Sequence, residues 1–197
     1  VALDLNSPKK VIINNSTISG RVILNEPNNW LSEEGIDITH TVFENIPGAA
    51  LDITRLRSPL NISDTKFSNV GTAIKLNKVY DFVTMSDLNI KAVEKGIHII
   101  GRVIEDEHII SIEKIIISNV ANGYGIFYEN ISFWYHLSLN RVYLTQVTVT
   151  NNKYGIELIY TDGNPSFKLD ELEIVNSIIW NNEEWDFDIT DLENIAI

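Results

Sequence analysis

Lys75, His98 and Glu157 are the ionisable residues whose positions suit chemistry on a single ligand. A Lys or His that accepts a proton and a carboxylic acid that donates one are the groups needed to open a glycosidic linkage by elimination or hydrolysis. Six aromatic residues, Trp30, Tyr80, Phe127, Trp134, Tyr135 and Tyr160, accompany them. Rings beside carboxylates suit sugars, because apolar sugar faces stack on rings while hydroxyls bond to Asp, Glu and Asn. The same residue types also make an ordinary solvated strand surface and ordinary loop packing, so their placement decides the matter.

That placement follows from a repeat of three short alternating segments. Val11/Ile13, Ser16/Ile18 and Val22/Leu24 open it, Leu60/Ile62, Thr65/Phe67 and Ile74/Leu76 restate it, and Val142/Leu144, Val147/Val149 and Ile156/Leu158 state it again. Residues two apart share one face of a strand, so each pair points inward. Seven copies begin at Val11, Ile36, Leu60, Val83, Ile110, Val142 and Leu172, between 23 and 32 residues apart. Variable loops joining constant strands account for that drift, which excludes ankyrin or tetratricopeptide arrays. Short β-branched runs of period two punctuated by Asn, Asp, Gly and Ser also exclude helices.

Of the inward positions only Ser16, Thr41, Thr65 and Ser177 are not apolar, and all four share one column. A small hydroxyl there is expected to bond to the neighbouring turn backbone. Two residues separate the first and second strands in every copy, as in Asn14-Asn15, Ser63-Asp64 and Val175-Asn176. Such a corner favours residues that tolerate left-handed backbone angles. Strands this short bury their apolar side only by stacking copy on copy. On the third strand the outward positions are Ile23, Asp52, Lys75, His98, Phe127, Glu157 and Asp188, one per copy in a line. Lys75 and His98 are thus expected on adjacent coils, with Phe127 between His98 and Glu157.

The chain has 197 residues and is expected to form one domain over 1–197, with 1–10 and 190–197 as end coils or caps of what is expected to be a piece of a longer protein. Trp180 and Trp185 are expected to cover the end of the rod. Cysteine is absent, which excludes disulfides and thiolate metal sites. A net charge of −12 with scattered basic residues argues against a nucleic-acid surface. No apolar run is long enough to span a membrane as a helix.

Phrases such as Val147-Thr-Val-Thr-Asn-Asn-Lys-Tyr-Gly-Ile-Glu-Leu158 and Asn176-Ser-Ile-Ile-Trp-Asn-Asn182 resemble the coils of the right-handed parallel β-helix, the architecture of pectate lyases, polygalacturonases, phage tailspikes and many bacterial surface proteins. The resemblance spans about residues 11 to 189 and implies an all-β solenoid of about seven coils with three strands each. It also implies a secreted or cell-surface location, and a ligand along the third-strand sheet and its loops. The paired-Asp, Gly-His-Gly and Arg-x-Lys stretches of polygalacturonases have no counterpart here, nor has the Asp ladder that holds calcium in pectate lyases. The acidic runs Glu105-Asp106-Glu107-His108 and Glu183 to Asp191 lack the spacing of a calcium loop. No cofactor is therefore expected, calcium being the one candidate. The preferred expectation is a non-catalytic β-helix displaying loops for adhesion or for binding a polysaccharide or cell-surface partner, with self-association through open coil edges. A polysaccharide lyase or hydrolase on the third-strand face is the alternative.

Overall fold

Alternation of period two produces strands wherever the sequence repeats it, and the strands stack in parallel from copy to copy. The computed structural model describes residues 3–6, 10–25, 35–56, 58–79, 82–101, 108–130, 140–160, 171–189 and 195–196. Among these residues the chain is an all-β parallel solenoid of about five turns with no helix. The first strands form one eight-stranded sheet in chain order, and the second and third strands form a twelve-stranded sheet. Val11, Ile36, Leu60, Val83, Ile110, Val142 and Leu172 are consecutive partners in the first sheet, so the spacing of the repeat is also its register.

Five copies, from Ile36 to Leu158, bury all six of their inward positions. The second strand of the first copy, and the second and third strands of the last, have a neighbour on one side only among the described residues. Ser16 and Ile18 in the first, and Ser177, Ile179 and Phe187 in the last, are only half-buried. Seven sequence copies therefore give about five closed turns. Within the core Phe43 and Phe67 stack with ring centroids 4.9 Å apart and planes 4° from parallel.

Each two-residue corner has its second residue in the left-handed region: Asn15, His40, Asp64, Asp87, Lys114, Gln146 and Asn176, with φ between 47° and 55°. One residue in that conformation lets the chain turn without a loop, and Asn and Asp adopt it most easily. The hydroxyl column behaves as its chemistry requires. Ser16, Thr41, Thr65 and Ser177 each donate to the carbonyl two residues earlier, at 2.9, 2.8, 2.8 and 3.0 Å.

The passage from second to third strand differs from expectation. In three copies no loop intervenes: Val42–Thr54, Lys66–Val79 and Asn89–Gly101 are continuous strands. They turn through register shifts between Ile46 and Ala49 and between Lys91 and Lys95, so a bulge bends the strand without ending it. Leu3–Asn6 adds a further parallel strand beside Val22–Asn25. Trp180 does not cover the rod end. It stands 67% exposed in register with Thr150, on the outer side of Ile178–Trp180.

Ile62 is fully buried in the first-strand column. Ile62→Asp places a lone carboxylate there at a cost on the order of 4 kcal/mol. Its melting temperature should fall by roughly 10 °C for a chain of this size. A variant that melts with the parent contradicts the register.

Candidate functional site

The outward column of the third strand appears as the repeat requires. Asp52, Lys75, His98, Phe127, Glu157 and Asp188 are successive register partners. Strand spacing of about 4.8 Å therefore puts Lys75 beside His98, and Glu157 two coils, about 10 Å, from His98. The three sequence candidates lie in one line without converging on one point. Of the six aromatic candidates, Phe127 is in this line. Trp30, Tyr80, Trp134 and Tyr135 lie outside the described residues, and Tyr160 is placed as the register partner of Asn130 by its backbone alone.

A second column, which the sequence reading passed over, stands beside the first. Lys95, Tyr124, Tyr154 and Trp185 are register partners at the corner leading into the third strand. Tyr124 stacks on Tyr154 with centroids 4.7 Å apart, and Tyr154 on Trp185 at 4.4 Å. The signal was present in sequence: Lys95, Tyr124 and Tyr154 each precede a Gly that opens the third strand. That Gly lets neighbouring coils close together. A side-chain carbon built on Gly155 would overlap the backbone carbonyl of Asp186 in the next coil.

The two columns form one patch. The Lys95 ammonium lies 4.6 Å from the Phe127 centroid and 5.9 Å from that of Tyr124, within cation–π range. It also donates to His98 Nδ1 at 3.5 Å. An ammonium has no lone pair to offer, so Nδ1 is the acceptor and the ring proton is on Nε2. His98 and Phe127 are tilted neighbours at 5.0 Å, and Tyr124 and Phe127 at 4.9 Å. Below them the Tyr124 hydroxyl hydrogen-bonds to Glu157, which is only 8% exposed.

Burial sets the protonation of this patch. The His98 pKa is pushed down to about 4 by desolvation, helped by the charges of Lys95 and Lys75. Desolvation also lowers Lys95, against the pull of Glu129. Glu157 is raised, chiefly by burial, while the Tyr124 hydrogen bond opposes the shift. The Tyr124 phenol is raised to about 12 by burial and by the nearby Glu157 charge. Near neutral pH the imidazole is therefore neutral and the phenol keeps its proton.

Three buried polar atoms of the patch have no hydrogen-bond partner among the described residues: His98 Nε2, Glu157 Oε2 and Trp185 Nε1. Buried polar atoms are normally paired, so each of the three is a place for a water or a ligand atom to complete the bonding. The stacked rings have a matching consequence. Tyr154 has one ring on each face, and Lys95 lies over Tyr124 and Phe127. In this column ring faces are thus taken up by one another and by Lys95. Among the described residues no three His, Asp or Glu side chains are grouped to hold a metal.

Two outcomes test this geometry. Gly155→Ala should lower the melting temperature and weaken the near-ultraviolet dichroism of the Tyr154–Trp185 pair; an unchanged spectrum would mean that the coils do not close there. The His98 ring should titrate near pH 4 by NMR. The unfolded chain binds that proton from about pH 6.5 and the folded one only near 4, so this residue's share of stability is lost as pH falls between the two. His98→Asn should therefore lose less stability than the parent across that window, and equal losses would contradict the buried neutral ring.

Comparison with known proteins adds no family to this geometry: no family model, no curated protein and no solved structure matches the chain.

Proposed function

We propose that the third-strand face is a carbohydrate-binding surface on a non-catalytic, secreted or cell-surface right-handed β-helix. The carrying observation is the trio of unpartnered buried atoms. His98 Nε2 and Trp185 Nε1 are donors in need of an acceptor, and Glu157 Oε2 is an acceptor in need of a donor. A sugar hydroxyl both donates and accepts, so a polyhydroxylated chain lying along the rod satisfies all three. Coil spacing of about 4.8 Å suits such a chain, since successive coils offer a polar group at each step. The aromatic residues of the patch add ring edges and hydroxyls to this face.

Cleavage of a bound polysaccharide is a second reading with one observation in its favour. Burial raises the Glu157 carboxyl and lowers the Lys95 ammonium within a single patch, the direction that suits an acid and a base near neutral pH. Unsaturated or reducing-end products from incubation with polysaccharides would establish it.

A glycan array with the purified chain should show selective binding that falls tenfold or more in His98→Ala and Trp185→Ala variants that melt like the parent. Tenfold corresponds to about 1.4 kcal/mol, the scale of one buried polar group left unpaired. Absence of any glycan binding, or binding indifferent to both substitutions, would sink the proposal.

A further inference from the structure

The charge of the patch changes along the rod. At one end stand Lys75, Lys95 and the neutral His98. At the other end Glu157 and Asp188 are register partners on adjacent coils, and Glu183, Glu184 and Asp186 precede Asp188 in the last copy. The one cation there among the described residues is Lys153, whose ammonium lies 5.1 Å from the Tyr154 ring centroid.

The two carboxylates differ in kind. Asp188 is exposed, whereas Glu157 is more than nine-tenths buried and its Oε2 has no partner among the described residues. An ionised carboxylate only accepts hydrogen bonds, so whatever completes Oε2 must donate. Carboxylates on neighbouring strands also repel, so the pair gains most from a donor carrying positive charge. Burial raises the Glu157 carboxyl and Asp188 adds to the rise, while the Tyr124 hydrogen bond and the Lys95 charge oppose it.

The aromatic column shows what its ends accept. At the upper end the Lys95 cation lies over Tyr124 and Phe127. At the lower end Trp185 stacks on Tyr154 through one face, with no ring on its other face among the described residues. Trp is the strongest cation–π acceptor among the side chains, and here it stands three residues before Asp188 on the strand paired with that of Glu157. An anionic ligand fits less well. Lys95 is already engaged with two rings and His98, the imidazole carries no charge at neutral pH, and the whole chain carries −12.

We propose that the glycan bound by this face carries a free, protonated amine, as glucosamine-type amino sugars do, seated between Glu157 and Asp188 against the Trp185 ring. This rests on the carbohydrate-binding reading and names its ligand class.

Calorimetric titration with four tetrasaccharides separates the two claims: β-1,4-linked glucosamine, its fully N-acetylated counterpart, cellotetraose and tetragalacturonate. The glucosamine chain should bind at least tenfold more tightly than the other three. That margin should shrink in raised salt and disappear in Asp188→Asn, whose exposed position does not threaten folding, while Asp64→Asn at a distant corner retains it. Glu157→Gln should also lose the margin if it melts like the parent. Equal affinity for the glucosamine and acetylated chains, or tighter binding of tetragalacturonate, overturns the amine proposal and leaves carbohydrate binding standing. Binding of none of the four overturns the amine proposal, and the glycan array then decides the broader reading.

Discussion

In-register parallel stacking is the constraint on which everything else in this chain depends. A strand of about four residues cannot bury its apolar side alone, so each copy is stable only against its neighbours at about 4.8 Å. The corners are set by that requirement. Every first strand must turn into the second after two residues, and the second of them takes the left-handed conformation even where it is His40, Lys114 or Gln146. Non-Gly residues occupy that region at some cost, which the core of stacked Ile, Leu, Val and Phe offsets. The hydroxyls of Thr41 and Thr65 meet the same requirement differently, since they are buried but bonded to the carbonyls of the preceding corner.

The same register that builds the core builds the surface. If inward residues are partners across coils, outward residues are too, so any polar or aromatic type repeated in one column becomes a ladder. Asn69 donates to Asn45 and Asn181 to Asn151 for this reason, at 2.8 and 2.6 Å. Lys95, Tyr124, Tyr154 and Trp185 make the ladder that matters for function. Stacking occupies ring faces between coils and buries the indole N–H of Trp185 without a partner among the described residues, while the Tyr124 phenol bonds to Glu157. A stacking-rich core and a polar, edge-on face are thus two results of one spacing.

Much of the architecture was legible in the sequence because period two has only one structural reading at this length. The anchors Val11 to Leu172 and the hydroxyl column appear at their expected places. The bulged continuity of Val42–Thr54 was not legible, since Asn-Ile-Pro-Gly between two apolar pairs looks like a loop. Trp180 was misread for a related reason: composition marks an aromatic residue as a cover, while its parity in the strand turns it outward. For the site, the Lys75–His98–Phe127–Glu157 line followed directly from alternation. The Lys95–Tyr124–Tyr154–Trp185 column did not, because it sits at a corner where alternation breaks and only the Gly after it marks the place. Protonation was not legible either, since burial of His98 and Glu157 arises from neighbours 23 to 31 residues away.

The central claim is that the unpartnered atoms of the third-strand face meet the ligand. It is tested most directly by the indole ¹⁵N–¹H resonance of Trp185, assigned by its loss in Trp185→Phe, during titration with a glycan the protein binds. That resonance should move and its exchange with water should slow as the glycan saturates. A Trp185 resonance that stays fixed while the glycan binds would place the ligand elsewhere on the rod and contradict the account.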